Sequence, residues 1–169
     1  MSQCEPCEKL QELIDAHTVA GAKVDVDAQA ERIAAGYKNP PSIVTGGAAY
    51  YRPAKDEVTM PPRDAFISTS AYYATLFHEL AHSTGHTSRL NRAGITDKAA
   101  AFGSDVYSEE ECVAELAAAF LCGEAGIEID IERHASYVDG WSKKLREDPS
   151  MLPRAAAAAE KAANHILGK

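Results

Sequence analysis

No apolar run in this chain approaches the eighteen or so residues that crossing a bilayer requires, so no membrane-spanning helix is expected. The N-terminus carries Glu5 and Glu8 where an export signal would place Lys or Arg ahead of an apolar core, and the expectation is a cytoplasmic protein. Positive charge is also scarce. With 17 Lys and Arg against 25 Asp and Glu, the formal net charge is −8, which argues against holding nucleic acid through its phosphates. Arg89, Arg92 and Lys98 come nearest to a basic patch and read as scattered charge on a solvated loop.

Four cysteines are too few and too poorly spaced for a disulfide framework or a zinc ribbon. Cys112 and Cys122 fall on one predicted helix, about 15 Å apart, so they neither bridge nor share a metal and read as small core residues. Cys4 and Cys7 form a lone C-x-x-C around Pro6, with no second pair, and read as part of a loosely ordered terminus over residues 1–8. A chain of 169 residues is long enough to bury its own core, so one domain spanning residues 1–169 is expected.

What is present is mostly helical. Apolar spacing predicts helices over Cys7–Ala16 and Asp27–Ala35, then a segment from Ile43 to Phe66 rich in β-branched and aromatic residues. Within it, Ala48–Arg52 and Glu57–Met60 are expected to pair as a hairpin across Pro53-Ala54-Lys55-Asp56. A helix over Ala71–Thr84 follows, with Ser68, Thr69 or Ser70 as N-cap and Gly85 as its stop. After a loop from His86 to Asp105, a second long helix covers Ser108–Gly123, opened by Ser108 and Glu111 in capping-box spacing. Helices over Ile131–Glu147 and Met151–Leu167 complete the chain, the latter carrying a close-packing alanine run.

The helix over Ala71–Thr84 contains His78-Glu79-Leu80-Ala81-His82, an H-E-x-x-H pattern. Residues i and i+4 leave one face of a helix, so two imidazoles can meet one zinc ion, while Glu79 projects about 100° away and is placed to accept a proton from water on that ion. A catalytic zinc site usually takes three protein ligands. His86, Glu109, Glu110, Glu111, Glu115 and His134 are all candidates for the third. The acidic helix is favoured, because Glu111 and Glu115 share a face and Ala114, Ala117 and Ala118 keep that helix slim.

Three stretches together carry a resemblance. They are Ala49-Tyr50-Tyr51-x-Pro53-x-x-Asp56-x-Val58-x-Met60-Pro61, then Tyr72-Tyr73-Ala74-Thr75-Leu76-x-His78-Glu79-Leu80-Ala81-His82-x-Thr84-Gly85-His86-x-Ser88-Arg89-Leu90, then Glu110-Glu111-x-Val113-Ala114-Glu115-Leu116 with Phe120-Leu121-Cys122. From about Asp27 to the C-terminus the chain resembles the zincin-like metallopeptidase domain of ArdC-type antirestriction proteins. The resemblance implies an α+β zincin fold of the gluzincin kind, mostly helical, with a small twisted sheet beside the active-site helix and a later helix closing the site. ArdC-type proteins also carry an N-terminal single-stranded-DNA-binding domain, for which these residues leave no room, so DNA binding is not carried over. A Trp commonly stands where this chain has Ser83.

The spacing Glu111-x-x-Ala114-Glu115 also resembles the glutamate helix of lethal-factor-type gluzincins. That resemblance implies Glu111 as third ligand and Glu115 as acceptor for the outer N–H of a ligand histidine, with Glu115 and His86 as alternative ligands. The function implied is a metallopeptidase of mobile-element type that uses one Zn2+ held by His78, His82 and Glu111, with Glu79 as general base and a peptide or protein as substrate. Tyr107 and His134, with His86, are candidates for a donor to the transition state. The competing reading is a catalytically silent zincin that binds a partner protein in antirestriction.

Overall fold

The computed structural model describes residues 26–97, 105–128 and 144–169, and the side chains of residues 105–107 lie outside that description. Helix α1 (Val26–Gly36) leads into a small sheet of β1 (Ser42–Thr45), β2 (Tyr50–Arg52) and β3 (Glu57–Met60). Helix α2 (Thr69–Ser83) follows, then a single turn α3 (Ala93–Thr96), the long α4 (Asp105–Ala125) and α5 (Met151–Leu167). The expected helix over Cys7–Ala16 and most of that over Ile131–Glu147 lie outside the described residues. Among those described, no helix is long and apolar enough to cross a membrane.

β3 lies at the centre of the sheet, in the order β1-β3-β2. Its Val58, Thr59 and Met60 are buried, as a central strand requires. The expected hairpin forms, with β2 antiparallel to β3 and Tyr51 opposite Val58. Its turn is a 3-10 turn over Pro53–Lys55 closed by Asp56 in the left-handed region at φ 49°. β1 was not expected as a strand of its own. It pairs with β3 in parallel, Ser42 opposite Glu57 through Thr45 opposite Met60, and all four of its residues are exposed.

The larger core joins α1 (Ala30, Ile33), β3 (Val58, Met60), α2 (Tyr73, Leu76, Phe77, Leu80), α4 (Leu121, Cys122) and α5 (Ala163, Ile166). A second cluster consists largely of alanines, Ala81 of α2, Ala114 and Ala117 of α4, and Ala155, Ala159 and Ala162 of α5. Residues this small let three helices approach closely, so carboxylates on α4 can reach α2. The alanine run of α5 is therefore a packing surface. Cys112 and Cys122 are free and buried, as expected, and burial pushes both thiols up to about 11.

Two sequence expectations need correction. Helix α4 is already under way at Asp105, so Ser108 is not its cap. Its hydroxyl accepts from Lys144 Nζ at 2.7 Å instead. Gly85 follows the end of α2 as expected, but for a different reason from the left-handed turn of a helix stop. A Cβ there would lie 2.6 Å from Ile95 Cγ1, so glycine is required for α3 to pack against the loop. Ser83 is fully buried, with its hydroxyl 3.1 Å from that of Tyr37 and donating to Leu80 O, so this helix end packs around a small polar pair.

Candidate metal centre

Helix α2 starts at the Ser68 cap, whose Oγ accepts from the Ala71 N–H at 3.1 Å. Two turns later its i, i+4 spacing brings the Nε2 atoms of His78 and His82 to 3.1 Å from each other. Across from them, α4 presents Glu111. One of its oxygens is 3.7 Å from His78 Nε2 and the other 3.4 Å from His82 Nε2. Ligand atoms of His78, His82 and Glu111 all fall within 4.8 Å of one another, the spacing at which they could hold one ion, and no other such group occurs among the described residues.

Each imidazole is also gripped from behind. His78 Nδ1 lies 3.3 Å from Glu115 Oε1, and His82 Nδ1 lies 3.2 Å from Glu110 Oε1. A carboxylate on Nδ1 fixes the ring and leaves Nε2 free to ligate. Glu110 is held in turn by Arg92, whose Nε and Nη2 donate to its two oxygens at 2.8 and 2.6 Å. The same guanidinium donates to Thr84 Oγ1 at 2.5 Å and to Ala81 O at 2.9 Å, which ties it to the end of α2. Gly94 lets this loop come in, since a Cβ there would lie 2.4 Å from Glu110 Cβ.

Burial works to lower the basicity of His82, but the hydrogen bonds it donates to the Glu110 and Glu111 carboxylates win and raise it to about 9. Glu79, between the two histidines in sequence, is buried. Burial pushes its carboxyl up, His78 and His82 pull it down, Glu111 pushes it up, and the Tyr51 backbone N–H directed at it pulls it down. The outcome is a raised value, the direction that suits a proton acceptor working near neutrality.

The other sequence candidates lie elsewhere. His86 turns away from the cluster, its Nδ1 2.8 Å from Ser88 Oγ. Glu109 faces α5 and accepts from Arg154 at 2.8 Å. His134 and the side chain of Tyr107 are outside the described residues. The loop read as carrying solvated charge does not carry it: Arg92 grips Glu110, and the Arg89 side chain, 1% exposed, pairs with Asp56. Lys98 is outside the described residues. The pairing of Glu110 with Arg92 was not foreseen; an acid neighbouring the expected ligand was the available signal.

A family model described as a zincin-like metallopeptidase matches residues 28–158. Among curated relatives, two Escherichia coli proteins called DNA primase TraC are 47% identical over 122 residues and 48% identical over 119 residues. These matches take in 72% and 70% of this chain but only 8% and 11% of the primases. An uncharacterized Sinorhizobium fredii protein, y4eC, is 38% identical over 70% of this chain and 38% of its own length. In three dimensions the chain is similar to the antirestriction protein ArdC from plasmid R388 in its Mn(II)-bound form, with TM-score 0.64 and 35% identity, over 89% of this chain and 53% of ArdC. The metal-free form of ArdC gives TM-score 0.62 over 88% of this chain and 50% of that one. The chain thus spans about half of ArdC and a small part of the primases.

Proposed function

Because the chain belongs to the zincin-like metallopeptidase family, we propose that it holds one divalent metal ion, zinc, between His78, His82 and Glu111 and hydrolyses a peptide bond in a peptide or protein. The observation that carries the reading is the convergence of those three donor groups with the buried Glu79 beside them. The donor chemistry fits, since two imidazoles and a carboxylate with a fourth position open to water are a common catalytic zinc set. The same donors also accept manganese, the ion bound in the ArdC structure.

An ion held there supplies Lewis-acid polarisation of the scissile carbonyl and a water of lowered pKa. The chain's own residues do the rest. Glu79 takes the proton of the attacking water and passes it to the leaving amine. Glu115 and Glu110 keep His78 and His82 in the tautomer that directs Nε2 inward. β2 is an edge strand packed against α2, and an extended substrate can add to it by backbone hydrogen bonding. The biological setting inferred from ArdC is defence of a mobile element, with neither nucleic acid nor membrane bound by this domain.

Metal analysis and a cleavage assay test the reading together. Purified protein is expected to contain about one divalent ion per chain and to cleave an unfolded protein substrate, losing this activity to a chelator and regaining it with zinc. Full metal occupancy without cleavage would favour the silent, partner-binding module. Failure to bind any ion would remove both.

Metal binding is also expected to depend on pH. His82, raised to about 9 in the metal-free protein, is protonated near neutrality, and that proton leaves when Nε2 takes up an ion. Affinity should therefore climb with pH below about 9, approaching tenfold per unit. Calorimetry in buffers of different ionisation enthalpy should register about one proton released per ion near pH 7. An affinity flat across that range would contradict the assignment of His82.

A further inference from the structure

Arg89 does more than fill a loop. Residues 84–92 fold back on themselves through Leu90 N–H to Thr84 O at 2.9 Å, Asn91 N–H to His86 O at 3.1 Å and Arg92 N–H to Gly85 O at 3.0 Å. This turn returns the Arg89 side chain to the end of α2, where Nε donates to Ser83 O at 2.7 Å. Ser83 O also accepts the His86 N–H at 3.0 Å and sits at the negative end of the helix dipole, where a cation is favoured.

The other two guanidinium nitrogens reach different elements. Nη1 donates to Asn39 O and to Asp56 Oδ2, both at 3.0 Å, and Nη2 donates to Asp56 Oδ1 and, at 3.4 Å, to the Tyr51 hydroxyl. Tyr51 closes the network by donating to Asp56 Oδ1 at 2.8 Å. Asp56 closes the β2–β3 turn, and its carbonyl accepts the Ser42 N–H of β1 at 3.0 Å. One buried side chain thus joins the end of α2, the hairpin and the α1–β1 connection.

Tyr51 connects this network to the site, with its hydroxyl in the clamp and its strand, β2, packed against α2, the helix that carries His78, Glu79 and His82. β2 has three residues and ladder bonds to β3 on one side only, so its own pairing holds it weakly against α2. We propose that Arg89, acting through Asp56 and Tyr51, is a positioning residue that fixes the edge strand β2 against α2 and so sets the place of that strand relative to Glu79 and the two histidines. Its catalytic meaning rests on the reading of Glu79 as general base.

Amide hydrogen exchange of the whole chain, read residue by residue by NMR, tests it without metal or substrate. Arg89→Lys keeps the charge but loses the two-pronged grip, and Asp56→Asn removes the anion. In both, the amides of β2, Tyr50 to Arg52, are expected to exchange at least about tenfold faster, with amides inside α2 and α4 unchanged. Uniform acceleration along the chain would make Arg89 an ordinary stability residue and overturn the proposal, and so would unaltered rates in β2. Cleavage by the zinc-loaded proteins then separates the two ideas: kcat falling about tenfold with KM little changed supports positioning of the base. A wild-type protein that cleaves nothing while β2 responds as described removes the hydrolase reading and leaves the clamp of β2 on α2 standing.

Discussion

Glu79→Gln is expected to lower peptide hydrolysis by the zinc-loaded protein about 10³-fold while leaving metal occupancy unchanged. Glutamine keeps the shape of the side chain in its buried place but cannot accept the proton of the attacking water. Glu79 contributes no atom to the His78, His82 and Glu111 cluster, so the ion has no reason to leave. Elemental analysis and steady-state kinetics on one preparation check both halves. Hydrolysis persisting within about threefold of wild type would sink the mechanism, because general-base removal normally costs 10²- to 10⁴-fold. Antirestriction retained by Glu79→Gln but lost in His78→Ala would instead assign the ion a structural role and favour the partner-binding module.

Much of this site is legible because its first half is local. The helical repeat alone dictates that His78 and His82 share a face and that Glu79 does not. The second half lies on α4, where Glu109, Glu110, Glu111 and Glu115 are chemically alike and differ only in the direction each leaves the axis. That direction acquires meaning from packing. With α4 set against both α2 and α5, Glu109 meets Arg154, Glu110 meets His82 and Arg92, Glu111 faces both imidazoles and Glu115 meets His78. Residue type could nominate this set and a family resemblance could rank it, but only the helix contact distributes the roles.

The same reasoning explains why Arg89 and Arg92 read as solvated. Their partners Asp56 and Glu110 are remote in sequence, and no short-range pattern announces a buried ion pair across such a gap. β1 shows the complementary limit. A hairpin advertises itself through its turn, whereas the parallel pairing of Ser42–Thr45 with β3 skips over β2 and leaves no local signal.

Truncating Glu110 is expected to produce the largest loss of stability of any change at this site. The carboxylate is 3% exposed and ionised: burial favours its neutral form, but the hydrogen bonds from Arg92 and His82 outweigh this and hold its pKa below the usual carboxylate range. Glu110→Ala would leave the Arg92 guanidinium, 12% exposed, with Thr84 Oγ1 and Ala81 O but no anion. Breaking a buried pair in this way typically costs about 3–5 kcal/mol, to be measured by urea unfolding of the metal-free protein. Glu110→Gln keeps the volume but replaces an acceptor facing both Arg92 and His82 with an amide, and should weaken metal binding about 10- to 100-fold in competition with a chromophoric chelator. The double variant Glu110→Ala with Arg92→Ala should be less destabilised than the sum of the two single changes, since it removes the uncompensated charge. Strict additivity would mean that the two groups act separately, and that the orientation of His82 does not depend on the loop that carries Arg92.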